Sequence, residues 1–178
     1  QDAAVKESRE RVLTALKNTG YQLPLNQYTT VNLAPADLKK NGSLYDLPIA
    51  IGMLLSNGRI QSSPHQRILM AGELGLNGQL RSVRGALLLS ILAEREDFDK
   101  LLIPKKNAEE ASLINEKRVI PVMDLPEAIA VIEGRQHPVR VDNKKGVRLK
   151  KQRLDFKEVQ GQQFAKRALE IAAAGGHN

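Results

Sequence analysis

The chain has 178 residues, of which 42% are hydrophobic, with a formal charge of +7, no cysteine and three histidines. That length supports one packed core with a tail or partial second domain. Disulfides and thiolate metal ligands are excluded, and His65, His137 and His177 lie too far apart in sequence for a zinc site. No apolar run approaches the ~18 residues of a membrane span, and no signal-peptide pattern opens the chain, so a reducing cytoplasm is the expected compartment.

Gln1–Gly20 reads as an amphipathic helix with Val5, Val12, Leu13 and Leu16 on one face, Asp2 able to cap its start and Gly20 its end. A chain that begins on a helix N-cap is expected to be part of a longer protein. Pro24 breaks the pattern, and Tyr28–Leu33 is predicted as a strand, buried at Val31–Leu33. A basic loop, LKKNGSLYD, leads into LPIAIGMLLS. Asp46 is the expected N-cap of that helix, with Pro48 in its first turn. The helix is apolar nearly all round and is expected inside the domain, ending at Asn57-Gly58.

Arg67–Leu76 is predicted as one strand with Ile68, Met70, Leu74 and Leu76 on a single face. Asn77-Gly78 is a strong hairpin signal and returns the chain through Gln79–Val83. A helix from about Arg84 follows, expected to be buried through Leu87, Leu88, Ile91 and Leu92. Lys100–Ile103 (strand), Asn107–Ile114 (helix), Arg118–Val122 (strand) and a helix from Asp124 to about Glu133 complete the pattern. Asn107 and Glu110 are spaced like a capping box. A hairpin followed by β-α-β-α implies an α/β or α+β fold, a mixed sheet with packed helices.

The charge is local. Residues 135–153 carry eight Lys/Arg and one acid, Asp142, leaving 19 basic and 19 acidic residues elsewhere. This segment reads as an exposed basic linker whose Arg135, Arg140, Lys144, Lys145, Arg148, Lys150, Lys151 and Arg153 could meet nucleic-acid phosphates. It contains no aromatic residue for base stacking, so sequence-nonspecific contact is the expectation; a solvated linker held open by self-repulsion is the other reading. Globular sequence resumes at Leu154, with a helix from about Gln162 to Ala174.

Two loops invite chemical readings. Ser43 could be a nucleophile if a base lay within reach, though serine beside Gly42 is also ordinary turn chemistry. Lys39 and Lys40 could contact phosphate. Glu73 could be a general base, but between Gly72 and Leu74 on an alternating strand it is expected to face solvent. Arg81 and Arg84 could extend a basic surface.

Three stretches, VNLAPADLKKNGSLYDLPIAIGML, GELGLNGQLRSVRGALLLSILA and LDFKEVQGQQFAKRALEIAAAGGHN, closely resemble the Mg-chelatase-like AAA+ proteins of the ComM/YifB family, in the family's order. The resemblance implies a Lon-protease-like domain over 1–134 that further N-terminal strands would complete, the basic linker over 135–153, and the opening of an AAA+ domain over 154–178, before its Walker A turn. It places Leu44 and Leu87 at the serine and lysine positions of the Lon peptidase dyad. Leucine can be neither nucleophile nor base, so the implied module is non-catalytic. A Lon-type peptidase using Ser43 with Lys39, Lys40 or Lys105 is the alternative, and a subunit of an ATP-driven metal-insertion machine a further one. A similar Lon-like domain without the dyad terminates the recombination ATPase RadA, where it is associated with DNA.

The family resemblance further implies a hexameric ATPase and helicase that drives branch migration in recombination and natural transformation. Its full-length members use ATP and magnesium, neither expected in this stretch, where Val159, Gln160 and Gly161 would be at most an adenine rim. DNA and further copies of the chain are the implied partners, with no membrane.

Overall fold

Helix α1 (Ala3–Asn18) is amphipathic as predicted, sinking Val12, Ala15 and Leu16 and ending at Gly20 in the left-handed region. The computed structural model describes residues 3–24, 29–32, 42–62, 66–135 and 161–176. Its contacts divide the chain into two units, Gln1–Asn143 and Lys144–Asn178. In the first unit α1 is followed by a 3-10 turn (Gly42–Tyr45) and α2 (Asp46–Ser56). Strand β1 (Ile68–Met70), a hairpin of β2 (Glu73–Leu74) and β3 (Leu80–Arg81), and α3 (Ala86–Arg95) come next. Strand β4 (Lys100–Pro104), α4 (Ala108–Asn115), β5 (Val119–Val122) and α5 (Leu125–Ile132) complete it.

Strands β1, β4 and β5 form a parallel sheet in that order, with Leu69 opposite Leu101 and Leu102 opposite Ile120. Strand alternation sorts the side chains into two cores. Ile68, Met70, Leu102, Ile120 and Val122 pack with α1, α2 and α5. Leu69, Leu101, Ile103 and Val119 pack with α3 and α4. The first unit is therefore a three-layer α/β/α sandwich, with the antiparallel hairpin beside the α1–α2 layer.

Several expectations are corrected. Thr29–Asn32 form no strand and are exposed, Val31 included; without a ladder partner among the described residues, β-propensity alone does not make a strand. The predicted strand Arg67–Leu76 is two strands in two sheets, broken at Gly72. There the backbone leaves β4 and bonds to α2 instead, Gly72 N–H donating to Leu44 O (3.1 Å) and Leu47 N–H to Gly72 O (3.0 Å). A Cβ on Gly72 would stand 2.8 Å from Leu80 Cδ2 and 3.4 Å from Leu47 Cβ. The break needs glycine. Leu76 is consequently exposed at the hairpin turn.

The Asn77-Gly78 hairpin forms as expected, pairing Glu73 with Arg81 and Leu74 with Leu80, although its return strand is only Leu80–Arg81. Leu80 N–H donates to Met123 O (2.8 Å) and Leu125 N–H to Gly78 O (2.9 Å), tying the hairpin to the start of α5.

Helix α3 is the reverse of its prediction. Ala86, Ser90 and Ala93 are buried, while Leu88, Ile91 and Leu92 are exposed and Leu87 is half-buried. Helix α4 likewise turns Ala108, Ala111 and Ser112 inward. Small residues let the two helices and the sheet approach closely, which leaves the long side chains outside. The predicted capping box at α4 is used across the layer instead. Asn107 accepts from Val83 N–H (2.9 Å) and donates to Val83 O (2.8 Å), and Glu110 accepts from Leu87 N–H (3.1 Å). Asp124 does cap α5, accepting from Glu127 N–H at 2.9 Å.

In the second unit α6 (Gln163–Gly175) agrees with the predicted helix and buries none of its residues within its own unit; Phe164 is 95% exposed. Among the described residues no helix is long and apolar enough to cross a membrane.

Gly78 sits at φ +81°, and a Cβ there would lie 2.3 Å from Thr19 Cγ2, whose hydroxyl is held by Ala15 O (2.7 Å). Gly78→Ala should therefore cost at least about 2 kcal/mol in urea unfolding. Gly58→Ala, also left-handed but with open space around it, should cost only about 1 kcal/mol. Equal midpoint shifts for the two variants would refute the contact with Thr19.

Candidate functional site

The 3-10 turn Gly42–Tyr45 delivers the chain to α2 in an already helical conformation (Tyr45 φ −93°, ψ −1°), so Asp46 begins the helix and caps nothing. Its carboxylate is fully buried and points back at α1. Oδ2 accepts from Arg11 Nε (2.8 Å) and from Leu74 N–H (3.2 Å). Oδ1 accepts from the Ser8 hydroxyl (2.5 Å) and Arg11 Nη2 (3.3 Å). Arg11 also reaches Glu7 at 2.7 Å. The hydrogen bonds to Asp46 hold the Arg11 guanidinium above its ordinary pKa, against the opposing effect of burial.

Chemically this is a clamp. A carboxylate with four donors has no lone pair left to take a substrate proton, so Asp46 is a poor general base. Ser43 and Leu44, in the preceding turn, are half-buried, and Leu44 contributes its carbonyl to Gly72. Among the described residues Ser43 is hydrogen-bonded to no lysine or histidine. Leu87 lies in the first turn of α3, in the opposite helical layer from α2, with its N–H held by Glu110. Lys105 is exposed in a 3-10 turn after β4. Glu73 is half-buried and ion-paired with Arg81 at 3.1 Å, which ties up both, and Arg84 is exposed.

Beside the clamp, the outer flank of α2 is not inside the domain as expected. Tyr45, Pro48, Ile49, Gly52 and Met53 line a mostly apolar groove of about 380 Å³ closed on its other side by Thr29–Asn32.

Lys39 and Lys40 lie outside the described residues, as do Lys144, Lys145, Arg148, Lys150, Lys151 and Arg153 of the linker, and Val159 and Gln160. Gly161 is described; it is exposed at φ +69° with nothing within 4 Å of where a Cβ would stand. Among the described residues no group of three His, Cys, Asp or Glu could hold a metal ion.

Removing Arg11 would strand the Asp46 carboxylate. Arg11→Ala should cost about 2–4 kcal/mol, toward the lower part of the range for breaking a buried pair because the arginine side chain retains 14% exposure. Ser43→Ala should stay within about 0.5 kcal/mol of the parent. Urea midpoints of the two variants check this, and comparable losses would show that the turn, rather than the ion pair, fixes the joint.

Comparison with known proteins now places the chain. The family described as subunit ChlI of Mg-chelatase matches residues 1–107, and magnesium chelatase, subunit ChlI, matches residues 155–178. The competence protein ComM of Haemophilus influenzae is 40% identical over 181 residues, covering 99% of this chain and 35% of that protein. YifB of Escherichia coli is 39% identical over 177 residues, covering 99% of this chain and 34% of its own length. YifB of Salmonella typhimurium is 37% identical with the same coverage. The chain thus spans about a third of the length of the curated relatives it matches. With the ChlI family matching most of the first unit and ComM and YifB aligned end to end with it, this chain belongs to the ComM/YifB family of Mg-chelatase-like proteins.

Proposed function

We propose that this chain is the non-catalytic front part of a ComM-like AAA+ ATPase that works on DNA, contributing DNA contact and ring assembly. Residues 1–134 are then the Lon-protease-like body, 135–153 the basic linker and 154–178 the opening of the ATPase domain. The observation that carries this reading is the 99% coverage of the chain at 40% identity to a protein named for competence. The positions that the Lon resemblance assigns to the reactive pair, Leu44 and Leu87, are half-buried apolar side chains, and the adjacent carboxylate is consumed by a clamp. Both favour a body that holds over one that reacts.

In this reading the whole protein is a hexameric helicase driving branch migration, and ATP with magnesium belongs to its motor. The described residues do not fit a nucleotide by themselves. Gly161 has open space where a purine would need a wall, and α6 buries nothing within its own unit.

The linker supplies the DNA contact by charge. Each phosphate neutralised on duplex DNA adds about 0.9 to the slope of log affinity against log salt. The chain should bind duplex DNA without sequence preference, and deleting 135–153 should lower that slope by at least about 3 and weaken binding at 50 mM salt more than about tenfold. A fluorescence-anisotropy salt titration measures both; unchanged slope and affinity would eliminate the linker as the contact.

A further inference from the structure

The sandwich carries two apolar surfaces, one on each outer side of the sheet. On the α3–α4 side, Leu88 is 70% exposed, Leu113 59%, Ile91 and Ile114 44% each and Leu92 36%. Scattered exposed leucines are ordinary, but five on two packed helices are not. The helices are laced together at both ends of this patch, by Leu87 N–H to Glu110 at the start and Asn115 to Glu94 (2.9 Å) at the finish. The five side chains thus form one ridge. It contains no charge, and α3 and α4 have turned their small residues inward to make their own contact.

The second surface is the groove on the outer flank of α2, about 380 Å³, lined by Tyr45, Pro48, Ile49, Gly52 and Met53 with no charged side chain. Since α2 and the α3–α4 pair belong to different cores on opposite faces of the sheet, ridge and groove face away from each other. They cannot meet within one copy.

We propose that copies of this domain associate head to tail, the α3–α4 ridge of one seated in the α2 groove of the next. This names the surfaces used in the ring assembly put forward above and rests on that part of the reading. Two different patches on opposite sides of one body generate a heterologous contact, which closes into a ring or extends, whereas a single self-complementary patch stops at a dimer. The area is adequate. The ridge offers roughly 450 Å² of apolar surface, and a standard interface takes about 800 Å² from each partner with a little over half of it apolar. Polar residues beside the ridge, such as Arg95 and Glu109, would supply the rim.

The test uses the 178-residue chain and two variants in sedimentation velocity over a concentration series. Leu88→Glu removes the ridge at a site already open to solvent. Gly52→Arg fills the groove; a Cβ at Gly52 meets nothing within 4 Å, so the helix itself tolerates the change. Circular-dichroism melts establish that both variants remain folded. The parent should self-associate, and each variant alone should raise the dissociation constant at least tenfold. An equimolar mixture of the two variants should form a dimer and nothing larger, because one intact ridge and one intact groove remain.

A parent that stays monomeric up to about 500 μM overturns the proposal. So does a groove variant that associates like the parent while the ridge variant does not, since ridge would then meet ridge. A mixture that stays monomeric overturns it as well. DNA affinity measured on the same variants is read separately: its loss with 135–153 intact would count against the linker, and self-association without DNA binding would leave the ring contact standing.

Discussion

The Asp46 carboxylate is the interaction on which the first unit depends. It is fully buried and gathers donors from three segments remote in sequence: Ser8 and Arg11 on α1, its own position at the start of α2, and the Leu74 amide of the hairpin. Burying an ionised carboxylate costs several kcal/mol unless charge and hydrogen bonds offset it. Here both do, and the same bonds fix how α1 crosses α2 and where the hairpin begins. The far end of α1 completes the frame, with Asn18 donating to Leu76 O (2.8 Å) and Thr19 packed against Gly78. One helix thus grips the hairpin at its base and its tip.

The two helical layers are built on different terms. On the α1–α2–α5 side, large side chains such as Leu16, Leu47, Ile51, Leu54 and Ile129 fill the core. On the α3–α4 side the helices themselves contribute Ala86, Ala93, Ala108 and Ala111, while the strands supply the bulk. Close helix approach is gained at the expense of outward leucines, an arrangement that suits a surface meant to be covered. A charge-free ridge on one side, a charge-free groove on the other and a basic segment beyond them describe a body made to assemble and to hold a polyanion.

Local rules worked where the deciding interactions span only a few residues. The Asn77-Gly78 turn, the ends of α1 and α2, the α6 helix and the β-α-β-α alternation were all legible, because backbone periodicity and left-handed glycines leave their mark within a turn or two. The faces of α3 and α4 were not. Their leucines outrank their alanines on any hydrophobicity scale, and only the distance available between helix and sheet shows that alanine must go inside. Gly72 was read as part of a strand for a similar reason. Its crowding by Leu80 and Leu47 exists only once hairpin and helix have met.

The tripeptide Asp-Leu-Pro shows where the boundary lies, since it opens two helices of this chain. At Asp124 the backbone is extended (φ −150°, ψ 173°), and the carboxylate caps α5 three residues on, a geometry written entirely in adjacent residues. At Asp46 the same tripeptide follows a 3-10 turn that is already helical, and Ser8, Arg11 and Leu74, 28 to 38 residues away, take the carboxylate instead. By itself the sequence determined the elements, their order and the family. Which carboxylate caps a helix and which is buried as a clamp was decided only by tertiary structure, because an arginine brought across from a distant helix competes for the oxygens more strongly than a neighbouring amide can.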